Sequence, residues 1–276
     1  MLEAMRQQLS EGLFERVVGP DHERHARRIH EAPGPRLFAD DRPIRHVHAD
    51  HAMFIGGLRA LLLQSLHPLA MAAVAQHSDY RTDPWGRLQR TSLFVGVTTY
   101  GTAEHAHQAI DRLARVHKHI HGTASDGRRY RADDPHLLAW VHVAEVDSFL
   151  RCHQRYGEHP LAGYDGYVAD MAVIAEAMGI PDPPRTTAEL EARLNAYRPE
   201  LKSTREAREA ARFLLLKAPL PMVARGPYAI LAASAVASLP VWARIPLRLP
   251  YLPVTEATGV RFAGHALMRG LRWVTG

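Results

Sequence analysis

Residues 102–121 (TAEHAHQAIDRLARVHKHIH) place one of the chain's 18 histidines where it could hold a metal. Read as a helix, the stretch carries an apolar stripe of Ala106, Ile110, Leu113 and Ile120. His117 falls on that stripe, four residues after Leu113 and three before Ile120. His119 points to the opposite side and His121 lies near its edge. A neutral imidazole facing the interior from a rigid helix suits the axial position of a haem iron. The plainer alternative is a core histidine bonded to a backbone carbonyl. On the preceding helix, Arg87, Arg90 and Thr91 stand at i, i+3 and i+4 and share a face. Two guanidiniums and a hydroxyl so fixed can bind propionates or polarise an oxygen ligand. The competing reading is a solvated basic face.

Other metal chemistry finds less support. His46-Val-His48-Ala-Asp50-His51 fits the His-x-His-x-Asp-His string of metallo-β-lactamase-type hydrolases, where two metals generate a hydroxide nucleophile. That motif requires preceding β-strands, and only 45 proline-rich, helix-like residues stand before it. A polar histidine-rich loop is the simpler expectation. A carboxylate-bridged di-iron bundle needs two Glu-x-x-His pairs, and only Glu104-x-x-His107 is present. His22–Glu23 and His30–Glu31 both lack the second histidine of a zincin. Cys152, the single cysteine, excludes an intramolecular disulfide, a Cys-rich zinc or iron–sulfur centre and covalent c-type haem attachment. It also lacks a glycine-flanked loop to present it as a haem thiolate. Neither a Walker A loop nor G-x-G-x-x-G occurs.

The elements that must position these residues read as helices. Residues 2–31 suggest one helix, followed by a loop broken by Pro33, Pro35 and Pro43. Apolar residues recur at helical spacing over 53–66, and His67–Pro68 ends or kinks that helix. Further helices are expected over 69–77, 85–100 (entered through Asp83–Pro84), 102–121, 135–152 and 164–178. Residues 122–134 form a turn-rich connector with Asp126–Gly127 at its tip. Thr186-x-x-Glu189 is a capping box opening a helix to about residue 197. Pro199 sits near the start of a long helix to about 217, and a last helix spans about 255–274. Few period-2 strands and no repeats appear. The expected fold is all-α, a single domain over 1–276, with an N-terminal arm (1–45), a core (51–218) and C-terminal apolar helices (219–276).

The 276 residues, 46% of them hydrophobic and 23% charged, suffice for a sizeable core and exclude a disordered chain. The net charge is +5, carried by 31 arginines and three lysines (Lys118, Lys202, Lys217). The arginines are scattered without interleaved aromatics, so nucleic-acid binding is not expected. No signal-peptide pattern opens the sequence. The longest apolar run, residues 228–240, is too short to span a membrane and reads as a core helix or interfacial segment. A cytoplasmic protein is expected, with peripheral contact to an anionic membrane surface as an option.

Several segments, in order and spacing, resemble the catalytic domain shared by MpaB-type oxygenases and bacterial latex-clearing rubber oxygenases. They are LLLQSLHPLAMAAVAQHS (61–78), DPWGRLQRTSLF (83–94), TTYG (98–101), VHKHIHG (116–122), YRADDP (130–135) and LLAWVHVAEVDSFL (137–150). DGY (165–167), PRT (184–186) and YRPEL (197–201) also fit. The resemblance implies an all-helical, globin-like haem b protein that uses dioxygen on carbon–carbon double bonds of apolar, isoprenoid-type substrates. It assigns the axial ligand to His117 and the family's Arg-x-x-x-Thr to Arg87 and Thr91. In the rubber enzymes a lysine precedes that threonine; here the position is Arg90. Those enzymes also carry an acid upstream of the arginine, and residues 51–78 contain no Asp or Glu. His67 and His77 are the histidines available there, and His142 is a further candidate beside the cofactor. Because fold does not fix function, a non-catalytic haem- or lipid-binding protein remains the alternative reading, and a metal hydrolase at 46–51 the second.

Overall fold

Proline and glycine set the breaks between helices. The computed structural model describes residues 2–276, almost all of them in helices and their connections. In place of one N-terminal helix there are two, α1 (Leu2–Val17) and α2 (His22–His30). Gly19 at φ +104°, followed by Pro20, stops the first and starts the turn into the second. The histidine-rich segment is a helix and not a loop: α3 (Pro43–Ala49) starts on Pro43 and buries Ile44 and Val47 completely.

The centre of the molecule is built from α4 (Ala52–Gln64) and α8 (Pro135–Tyr156). Gly56 permits their close approach: a Cβ there would lie 2.7 Å from Phe149 Cδ1 and 3.2 Å from its Cα. The pair is locked by a buried ion pair, Arg59 to Asp147 at 2.7 Å. Arg59 also donates to Ser148 Oγ at 2.6 Å and to the Ser238 carbonyl at 2.9 Å. Trp140 donates its indole N–H to the Gln64 carbonyl, and the Gln64 amide donates to the Val141 carbonyl. Each of the three Arg59 guanidinium nitrogens has an acceptor, which helps a buried charge to be tolerated in low dielectric.

The chain bends by 107° between α4 and α5 (Pro68–His77), where Pro68 cannot continue the first helix and His67, at the cap of the second, turns its Nδ1 toward the Ala70 N–H in a long contact. Next come α6 (Pro84–Tyr100), capped by Asp83, and α7 (Ala103–Lys118), capped by Thr102. The two pack on each other and are joined by Gly101 and Thr102 alone. α7 ends before residue 121. His119 and Ile120 turn instead into an antiparallel hairpin, β1 (His121–Thr123) and β2 (Arg129–Arg131), which places His121 opposite Arg131. Gly127 at φ +85° serves its tip.

Beyond α8 lie α9 (Asp165–Ala177) and α10 (Thr187–Tyr197), the latter opened by the complete Thr186/Glu189 capping box. The long helix expected from Pro199 does not form. Arg198–Glu200 is a single 3₁₀ turn, and Thr204 caps a separate helix, α11 (Arg205–Leu216). The apolar run is α12 (Met222–Ser238), bent by 118° into α13 (Val241–Leu247). A π turn (Glu256–Val260) leads into α14 (Arg261–Thr275). The architecture is all-α. Among the described residues no helix is long and apolar enough to cross a membrane.

Candidate active site

The face of α7 runs as its periodicity requires. Ala106 and Ile110 are buried, and Leu113 and His117 one and two turns on are half-buried. Burial lowers the His117 pKa, and the Asp133 carboxylate only partly opposes it. The imidazole is therefore neutral at pH 7, the form that binds a metal. Its backbone is held at both ends of the helix: Thr102 Oγ1 accepts the His105 N–H, and the Ile120 carbonyl accepts the Ala132 N–H at 2.8 Å.

At the start of α6, Arg87 is half-buried and burial lowers its pKa, a shift that Tyr80 opposes and Arg90 reinforces. The Tyr80 hydroxyl is itself buried with no hydrogen-bond partner. Thr91 is exposed and donates to the Arg87 carbonyl at 3.0 Å. Arg90 turns to solvent and pairs with Asp83 at 3.4 Å. So Arg87 alone of the three faces a partly desolvated environment.

The middle of α8 supplies a third group of residues. Leu138, Val141, His142 and Glu145 stand at i, i+3, i+4 and i+7 and share one face. His142 is buried, its Nε2 has no partner, and burial depresses its pKa to about 4. Burial pushes the Glu145 carboxyl up to about 7, although part of its surface stays accessible. The Tyr167 hydroxyl of α9, wholly buried, is also held well above its ordinary pKa, first by burial and then by the carboxylates of Glu145 and Asp170. A neutral imidazole and a carboxyl that titrates near neutrality, side by side on one helix, make a proton-handling pair. Glu145 was not singled out from the sequence. Its signal was there, three residues after His142 on the same face of the otherwise apolar stretch 137–146.

The remaining candidates go elsewhere. His77 is exposed and lies 3.1 Å from the Tyr130 hydroxyl. His67 is buried, with Nε2 3.5 Å from Glu200. The hydrolase-like string is dispersed. His46 meets the His159 carbonyl, and half-buried His48 sits between Thr99 Oγ1 (2.8 Å) and the Tyr167 hydroxyl (3.2 Å). Asp50 is bound by Arg272 and the Ala52 and Glu158 amides, and His51 by Thr275. His46 and His48 stand on α3, Asp50 is the extended residue that ends it and His51 caps α4, and each is engaged by a different group, so the letter match does not bring the four side chains to one ion.

No curated protein and no solved structure matches the chain. One family model does, that of an oxygenase catalytic domain, a class of oxidoreductase. It is described as "ER-bound oxygenase mpaB/B'/Rubber oxygenase, catalytic domain", and since it matches residues 45–273, nearly the whole chain, this protein belongs to that oxygenase family.

Proposed function

We propose that the protein is a haem b-dependent oxygenase that uses dioxygen on a small apolar substrate, an alkene of isoprenoid type, in a globin-like helical core. The observation that carries this reading is the set of half-buried or buried polar groups on α6, α7 and α8 that other protein groups leave unused. They are the lone Arg87 beside the unpartnered Tyr80 hydroxyl, the neutral His117, and His142 with its orphaned Nε2. Orphaned buried polar atoms are rare in native proteins and call for a partner. A planar, mainly apolar cofactor with two carboxylates and an open metal position fits this donor set. His117 would hold the iron, and Arg87, with Thr91 bracing its turn, would bind a carboxylate. His142 would stand beside the macrocycle. The bound haem would supply the oxygen chemistry that side chains cannot. Leu138, Val141 and Leu113 would exclude water from the substrate, and Glu145 would take or give a proton at its carboxylate. Arg90 is tied to Asp83 and would steady the start of α6.

An absorption spectrum of the purified, haem-reconstituted protein tests this. A Soret band lost in His117→Ala, with the helical circular dichroism kept, is the expected result. A wild-type protein without a Soret band, or an unchanged band in the variant, refutes the assignment.

An apolar substrate also needs a place of supply, and we propose an anionic membrane surface. Ile245, Tyr251, Leu252, Val254 and Phe262 are all more than half exposed. From residue 211 onward the chain has eight lysines and arginines; Arg244 engages Glu256 and Arg272 pairs with Asp50 and Glu158, leaving six without an acid among the described residues. Exposed apolar residues among uncompensated arginines favour the interface of an anionic bilayer. Sedimentation with phosphatidylserine-containing vesicles, but not with phosphatidylcholine alone, is expected. Equal recovery with both, or unchanged binding by a Val254→Asp/Phe262→Asp variant, refutes it.

A further inference from the structure

Three chain segments far apart in sequence meet at the first turn of α8. His67 comes from the α4–α5 bend, His136 from the second residue of α8, and Glu200 from the end of the 3₁₀ turn. One ligand atom from each lies within 4.8 Å of the other two. The His136 Nε2 stands 2.9 Å from Glu200 Oε2, and the His67 Nε2 stands 3.5 Å from the same oxygen. Metal–ligand bonds of about 2.0–2.2 Å in tetrahedral array separate donors by about 3.4 Å, and the two measured spacings bracket that value.

The site is built and not a chance meeting of surface side chains. His67 is 1% exposed, and its Nε2 points into the cluster without a hydrogen-bond partner. The turn bearing Glu200 is fastened to the bend bearing His67: the Lys202 N–H donates to the Leu66 carbonyl at 2.7 Å. Tyr197 donates its hydroxyl to the His136 carbonyl at 2.8 Å and holds its oxygen 3.5 Å from the His136 Nδ1. A proton on that Nδ1 leaves the Nε2 lone pair free for a cation. At His67 the same tautomer requires release of the Ala70 N–H from Nδ1. That contact measures 3.5 Å, beyond the usual range of a hydrogen bond, so little is lost. Trp140 and Tyr197 wall the inner side, with ring centroids 6.2 and 6.5 Å from that of His67. His136 and Glu200 keep the outer side open. Arg128 bears on Glu200 as an opposing cation, but Asp126 pairs with it at 2.7 Å.

We propose that His67, His136 and Glu200 bind one first-row divalent transition cation, with an open position facing solvent. Two imidazoles and one carboxylate suit zinc and iron(II), and three protein ligands with a free position are the arrangement of reactive and not of closed structural sites. The site is separate from the face of α8 that carries His142 and Glu145: His136 precedes Glu145 by nine residues, about 13–14 Å along the helix. It does not depend on the haem.

The test uses the tag-free, haem-loaded full chain, stripped with a chelator and dialysed against Zn²⁺, with zinc and iron measured on the same sample. One zinc per chain is expected for the wild type. His136→Ala and Glu200→Gln, both at accessible positions, are expected to weaken it at least tenfold with the Soret band unchanged. His117→Ala is expected to lose iron and keep zinc. Zinc is also expected to raise the melting temperature of the wild type but of neither site variant. No bound zinc in the wild type, or zinc retained equally by both site variants, overturns the proposal.

Discussion

The Glu145 carboxyl makes a prediction that can be read without knowing the substrate. Its ordinary pKa of 4.5 is pushed up to about 7 by burial. A raised acid binds its proton more tightly in the folded state. Its contribution to stability is therefore fully present below pH 4.5 and is lost as pH rises through 7. Integrating between pH 5 and pH 8 gives about 2.5 kcal/mol of stability lost on this account. Glu145→Gln keeps the shape and removes the titration. Urea unfolding of both proteins at several pH values isolates the group, because every other titration cancels in the difference. That cancellation matters for His142, whose pKa is depressed to about 4. Its contribution runs the opposite way, present above about 6.5 and lost as pH falls toward 4, so the two contributions nearly cancel in the overlap and the wild-type profile alone does not reveal Glu145. The variant is expected to gain on the wild type by about 2–3 kcal/mol from pH 5 to pH 8. A difference that stays constant across that range refutes the claim that the Glu145 carboxyl is desolvated.

Three further predictions concern the frame around the site. Asp147→Ala leaves Arg59 buried and unpaired, so it is expected to cost about 3–5 kcal/mol and lower the melting temperature by about 6–20 °C in a thermal scan. Gly56→Ala forces a methyl against Phe149 and should cost about 1–3 kcal/mol by urea titration, with a loss within error refuting the tight α4–α8 approach. Thr102→Ala removes the α7 cap and should cost about 1 kcal/mol, with faster haem loss to an apoglobin acceptor because His117 rides on that helix.

How much of this was legible in the sequence differs by element. Helices with a local signal came through: Asp83–Pro84, Thr102 and the Thr186/Glu189 box cap the helices they announced. The interior stripe of α7 held at Ala106 and Ile110 and continued half-buried through Leu113 and His117, because a 3.6-residue period is a strong constraint, while Ile120 lies beyond the helix. Failures fell where one local cue was outweighed by another. Gly19–Pro20 divided an N-terminal helix that polarity alone joined, and Thr204 captured a helix start that Pro199 appeared to own. The histidines of 46–51 match a metal string because letters carry no direction; they are divided between α3 and the cap of α4 and find separate partners. His67, His136 and Glu200 could not be associated from sequence at all, since only the tertiary path of the chain brings them together.

The pairing of α4 with α8 has a consequence for the making of the protein. α8 begins some 70 residues after α4 ends, and none of the helices synthesised between them packs on α4 as α8 does. At roughly 5–20 residues per second on the ribosome, α4 waits several seconds for its partner. During that interval a helix of Ile, Leu and Ala, with Arg59 not yet neutralised, is open to wrong contacts. Contacts so distant along the chain also slow the search for the native arrangement. The yield of folded protein in a cell therefore depends on what shelters α4 before residue 156 emerges, as well as on the stability of the finished core.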